Sequence, residues 1–447
     1  MNLLPSTQTL NLPRELPQRQ RLADELHARP FETLASPGRV FSLATLRTSA
    51  AQDAQCLAHL AELDPAAASA SGATHVRLQW RGLRIKWERH TEFFSLSLFC
   101  QAGEGGAFDT AWLGVLPEGW LARLPGEMVS ATLVALQPCV GEPPHVREVA
   151  PLFGREPVVG NRIADGAATV VTDLRAVDGV TRFPVFDHAL NRRRAGRTAQ
   201  RLVEIDTYRM MALLSLPLAA RRMGELGAEE AQLASLMERF RGAADGDEAL
   251  LGELVSLAAR VEHALADHGA RFSATRAYGG IVDRRMAELR EAVVPGLQPL
   301  SEFLDRRFRP AVESCAATAA RQAELSKRIA RAAQLLQTRS EVERERQNQS
   351  LLASLDRRQG MQLRLQEMVE GLSVIAMSYY GVGLAAYALK PLAKAAGANE
   401  AWVVGALVPV VALAVMWNLR RLRLHLASAH LVAGRQPFGR AATPVLP

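Results

Sequence analysis

Cysteine is scarce in this chain of 447 residues, and the four present, Cys56, Cys100, Cys139 and Cys315, lie far apart with no CxxC pair. That spacing argues against a zinc ribbon and against a disulfide framework. Only four of the 53 basic residues are lysine (Lys86, Lys327, Lys390 and Lys394) and the rest are arginine, a skew that a GC-rich genome produces as readily as a function does. Catalytic signatures are missing as well. There is no P-loop, dinucleotide fingerprint or GxSxG elbow, and His263 and His268 are five apart, so they do not share a helix face as the pair in HExxH does. The chain is therefore not expected to be an enzyme. Residues 1–21 carry prolines and polar side chains where a secretory h-region would be apolar, which is expected to leave the N-terminal part in the cytoplasm. No repeat of 20 to 50 residues is evident.

The length gives room for two or three domains. Hydrophobic residues make up 48% and charged residues only 22%, with a mean hydropathy of −0.01. Such values in a helix-rich chain imply that apolar residues are concentrated somewhere. Two uncharged runs hold them, Gly371 to Leu389 and Ala401 to Leu419. Each has about the length needed to cross a hydrocarbon core of ~30 Å. Trp402 and Trp417, set to anchor the second run at the two interfaces, are 15 residues apart, or about 22 Å along a helix. Arg357, Arg358 and Arg364 precede the first run and Arg420, Arg421, Arg423 and Arg435 follow the second, against Lys390 and Lys394 between them. This asymmetry predicts a two-span hairpin in a bacterial inner membrane with both termini cytoplasmic. It also accounts for part of the net charge of +7 without a nucleic-acid partner, which is not expected.

The remainder divides by pattern. After an N-terminal segment (1–38), residues 39–190 read as an α/β domain, with strands at 75–80, 83–87, 92–99, 170–174 and 182–186, a helix at 53–63, and Arg81-Gly82 as a tight hairpin link. From 191 to 366 apolar residues recur at three and four, with breaks at Pro217, Gly242 to Gly246 and Pro295 to Pro299, as in a helical stalk whose last helix starts near Pro310. Leu325, Ile329, Ala332 and Leu336 have coiled-coil-like spacing and must bury a stripe against other helices or a second subunit. The hairpin (367–419) and a basic tail (420–447) complete an α+β chain, expected to be a homo-oligomer in the lipid bilayer.

Four stretches, ELHARPFE (Glu25 to Glu32), WERHTEF (Trp87 to Phe93), ATRAY (Ala274 to Tyr278) and EGLSVIAMSYYGVGL (Glu370 to Leu384), resemble a family of predicted bacterial membrane-anchored proteins catalogued as a domain of unknown function. That resemblance supplies no activity. The segment order also resembles the layout of CorA-type magnesium channels and implies ion transport. The Tyr-Gly-Met-Asn signature of those channels is missing: the end of the first run reads Tyr387-Ala388-Leu389-Lys390, and the nearest likeness, Tyr380-Gly381-Val382-Gly383, sits mid-span without an asparagine.

Several constellations are candidates for chemistry. Gln359, Gln362, Gln366, Glu370, Ser373, Met377, Tyr380, Leu384 and Tyr387 form one helical seam, which would line a pore in a ring of subunits or else pack against the second span. Gly381 and Ala385 are a small-xxx-small pair suited to helix packing. On the WERHTEF strand, alternation puts Glu88, His90 and Glu92 on one face, where they would bind a divalent cation, the one cofactor suggested, or form cross-strand ion pairs with Arg84 or Lys86. His27 and Arg29 precede Pro30, and a His-containing cytoplasmic enzyme site would need His27, His90 and a carboxylate in one cleft. Arg192, Arg193, Arg194, Arg197 and Arg201 crowd a helix start where the dipole disfavours cations, and Glu204, Asp206 or another subunit is expected to balance them.

Overall fold

The computed structural model describes residues 13–20, 31–70, 72–101, 106–142, 145–154, 157–242, 247–395 and 400–433. They form an α+β chain of two compact units, Met1–Leu336 and Gln337–Pro447.

The first unit is built on a ten-stranded mixed sheet. Its strands are β1 (Gly38–Leu46), β2 (His75–Trp80), β3 (Leu83–Arg89), β4 (Phe93–Gln101), β5 (Met128–Pro138), β6 (Val159–Ile163), β7 (Ala168–Thr172), β8 (Ala176–Val177), β9 (Val180–Asp187) and β10 (Ala292–Val293). They lie in the order β10-β6-β7-β9-β5-β1-β4-β3-β2, with β8 paired to β9. Every pairing is antiparallel except β5 with β9, so one parallel joint divides the sheet. Arg81 and Gly82 both have positive φ, the geometry of a two-residue turn whose twist matches the strands it joins.

Side-chain alternation gives the sheet two faces. On one, Phe41, Leu43, Ile85, Trp87, Phe94, Leu96, Leu98 and Leu133 pack with Cys56, Leu57 and Leu60 of α1 (Ala51–Ala61) and with Trp120. On the other, Val40, Phe99, Val134, Phe183 and Val185 meet α3 (Arg192–Leu213), α5 (Asp247–Leu289) and α6 (Leu300–Arg307), through residues such as Leu202, Val282 and Leu300. A short helix, α2 (Val146–Phe153), packs on Val171 at the β6–β7 end. Helices α3, α5 and α6, all beyond residue 191, thus share a core with the sheet.

Local chemistry places α3. Asn191 caps it, its side chain accepting from Arg194 N at 2.9 Å. Gly196 lets the chain at Glu32 cross the helix at van der Waals distance, since a Cβ there would sit 1.7 Å from Glu32 O. Pro217 falls in the first turn of α4 (Leu216–Gly242), where its missing N–H has no helical partner to lose. Leu325, Ile329, Ala332 and Leu336 of α7 (Arg309–Ala395) are buried against Leu226, Leu233 and Leu236 of α4 and Leu254, Leu257 and Val261 of α5. Helices of the same chain therefore cover that stripe.

The second unit contains the rest of α7 and α8 (Glu400–Ala433). Among the described residues one helix, which contains the run at 371–389, is long and apolar enough to cross a membrane, and none of its apolar window is buried. Gly381 faces α8, where an added Cβ would approach Val411 Cγ1 to 2.9 Å.

Candidate functional site

Beside the place where α3 packs on β5 and β1, the covered face of the sheet carries a polar strip that runs on to β4 and β3. Ser42, Ser97 and Lys86 stand side by side on β1, β4 and β3, and Ser95 pairs with Glu88 one step along. Burial is deep: Ser42 is 3% exposed and Lys86 only 4%. A buried lysine needs a partner, and Lys86 Nζ lies 3.1 Å from Glu88 Oε1, on the same strand face two residues away. Ser42 Oγ and Ser97 Oγ share a hydrogen bond of 2.9 Å.

The row continues onto β5. Thr132 Oγ1 donates to Asp206 Oδ2 at 2.8 Å, and Ser130 Oγ is 3.1 Å from Thr207 Oγ1. Asp206 is fully buried and is also paired with Arg209. Helix α3 is thus fastened to a polar strip of sheet through Asp206 and Thr207, beside the apolar packing of its Leu202, Val203 and Ile205.

Between strip and helix lies a cavity of about 230 Å³. Lys86, Glu88, Ser42, Ser95 and Ser97 form its floor, Gln200, Glu204, Thr207 and Tyr208 its roof, and Glu32, His90 and Arg285 lie in its rim. The His90 ring stacks on Phe93 with centroids 4.2 Å apart, and its Nε2 is 3.4 Å from Ser95 Oγ. Glu204 accepts from Gln200 at 2.7 Å and is paired with Arg285. Glu32 is paired with Arg77 at 3.2 Å and Arg84 at 3.0 Å.

Glu92 does not line this cavity. It follows β3 in the turn to β4, where it accepts from Tyr278 Oη at 2.6 Å and Arg271 Nη1 at 3.1 Å. Burial, with the adjacent Glu92 carboxylate, holds the Tyr278 phenol above its ordinary pKa of 10. The turn thus parts the expected Glu88, His90, Glu92 row, and no group of three or more His, Cys, Asp or Glu placed to hold a metal occurs among the described residues.

A family model described as a protein of unknown function (DUF3422) matches residues 14–426. The chain belongs to this family. All four stretches that carried the resemblance fall inside the matched residues. No curated protein matches the chain.

The other candidate residues of this family member are dispersed. His27 and Arg29 lie outside the described residues. Of the α3 arginines, Arg194 bonds Ala164 O and Asp165, Arg201 pairs with Glu288 at 2.9 Å, and Arg197 sits over the Phe31 ring. The expected partners are taken elsewhere, Glu204 by Arg285 of α5 and Asp206 by Arg209, one turn along α3. His263 pairs with Asp267, and His268 meets the edge of Phe272. In the second unit Gln359, Gln362, Gln366, Met377, Tyr380 and Tyr387 are exposed and Glu370 and Ser373 half-buried, with Ser373 Oγ donating to Val369 O. Ala385, one turn from Gly381, is half-buried; Trp402 and Trp417 are exposed, the latter beneath Arg421.

Sequence alone marks Lys86 only as an ion-pair partner and gives no sign of Ser42, Gln200, Thr207, Tyr208 or Arg285. One signal pointed there: SLSLF (Ser95 to Phe99) alternates serine with apolar residues in a strand whose neighbours bury both faces.

Proposed function

We propose that this protein is a membrane-tethered binding protein, a sensor or scaffold, whose α+β unit takes a small polar ligand in the cavity under α3. The observation that carries the reading is the buried polar strip. Side chains such as Lys86, Glu88 and Ser42 would stabilise the fold more as apolar residues, so a ligand gives their burial a purpose. In this reading the runs at 371–389 and 401–419 are two spans of an inner-membrane anchor with both termini cytoplasmic, supported by the uncharged length of each run, the arginine-rich flanks and the close approach of Gly381 to Val411.

A thermal-shift screen of the full chain in detergent against pooled metabolites tests the reading. A ligand at a hundred times its Kd stabilises by about 2.7 kcal/mol, and the shift is expected to vanish in Ser97→Leu, which fills the cavity. A shift unaltered by that substitution would locate binding elsewhere. Replacing both spans with an unrelated hairpin is expected to leave binding intact.

A second reading, cation passage along the α7 seam in a ring of subunits, draws on the exposure of Met377, Tyr380 and Tyr387. It calls for cation flux into liposomes that Tyr380→Ala or Glu370→Gln abolishes. A particle in detergent with the mass of a monomer or dimer would end it.

A further inference from the structure

We propose that the cavity selects a small zwitterion of the amino-acid class, an inference that rests on the cavity being a ligand site. Three observations converge on it.

The first is size. A volume of about 230 Å³ is the share of about eight water molecules in the liquid. A small amino acid fits this space.

The second is charge balance. Lys86 is matched by Glu88, Glu204 by Arg285, and Glu32 by Arg77 and Arg84. A ligand of one sign that inserts between Lys86 and Glu88 satisfies one member and leaves the other without its partner, which is the expensive way to break a pair so little exposed. A neutral ligand leaves the pair intact and meets it only through hydrogen bonds, without matching either charge. A zwitterion alone engages both, with its carboxylate on Lys86 and its ammonium on Glu88.

The third is the disposition of the neutral groups. One hydroxyl of the Ser42–Ser97 pair donates to the other, which leaves the second proton for a carboxylate beside Lys86. Beyond Glu88 the wall turns aromatic through Phe93, His90 and Tyr208. A short apolar or hydroxylated side chain fits against those rings.

The test uses the full chain in detergent micelles and titration calorimetry with glycine, alanine and serine, alongside propionate, propylamine and glycerol. Binding of one or more amino acids is expected, with the three analogues weaker by about tenfold or more. Lys86→Met is then expected to favour propylamine and Glu88→Gln to favour propionate, a reciprocal switch that a merely unstable variant does not produce. Propionate, propylamine or glycerol bound by the unaltered chain as tightly as alanine would overturn the zwitterion inference and leave the ligand site standing. If no compound in this panel or among pooled metabolites binds, both fall; the unaltered chain alone decides this even where a variant does not fold.

Discussion

Strands β1, β3 and β4 present two faces made from alternate residues of the same segments, and the two differ in kind. Under α1 the sheet shows Phe41, Leu43, Ile85, Trp87, Phe94, Leu96 and Leu98, an apolar surface packed against apolar partners. Under α3 it shows Ser42 and Lys86, both buried, with the half-buried Ser95, Ser97 and Glu88, joined by hydrogen bonds and an ion pair around a cavity. Backbone register, twist and strand length are common to both. The difference therefore isolates what the side chains contribute: on the first face apolar packing runs unbroken, and on the second it is interrupted by a strip that holds a shape and a charge pattern.

Substitutions on each face sharpen that contrast. Phe94→Ala on the apolar face removes a ring 1% exposed and stacked on Trp87. It is expected to destabilise by about 3–5 kcal/mol in denaturant unfolding of the first unit's signal. Asp206→Ala strands Arg209 and Thr132 beneath α3, and a loss of about 3 kcal/mol is expected; a loss below that of an exposed salt bridge would mean that the polar strip fastens nothing. Lys86→Met combined with Glu88→Leu should leave the melting temperature unchanged or raise stability by about 1 kcal/mol while erasing ligand-induced stabilisation. A large destabilisation by that pair would make the two faces alike in purpose.

The smallest effect concerns pH. Tyr278 keeps its proton in the folded chain above the pH at which a free phenol, with a pKa of 10, loses it. Above pH 10 the unfolded chain binds fewer protons than the folded one, so stability is present below that pH and falls as pH rises beyond it. Tyr278→Phe is expected to flatten that fall in melts recorded from pH 9 to 11. The apolar face carries a handle of the same sign, because burial pushes the Cys56 thiol from 9 up to about 12 and its contribution too is lost as pH rises.

Much of this was legible in the residues. The hairpin at Arg81-Gly82 and the strands around it follow from turn chemistry and β-rich composition. Helix breaks at Pro217 and at Pro295 to Pro299 follow from the missing proline N–H. The central strands β1 and β5 were harder to see, because both of their faces are buried and GRVFSLATL and MVSATLVALQP show no clean alternation of polar and apolar. The cavity was beyond a local pattern. It joins Glu32, Lys86, Thr207 and Arg285, which are far apart in sequence, and no spacing rule announces a contact made by packing a helix onto a sheet. The likeness of Glu88, His90 and Glu92 failed for the same reason in reverse: three residues in one motif are parted by a turn that alternation does not foresee.

The buried pair of Lys86 and Glu88 also bears on how this site persists through descent. Random mutation supplies many apolar replacements for either residue, and the double apolar replacement leads toward a chain as stable as the original or more so. Stability alone would let drift erase the pair. If the cavity binds a ligand, selection for that binding would keep a pair that folding does not require, and a lineage freed from it would be expected to keep the apolar face and lose the polar one first.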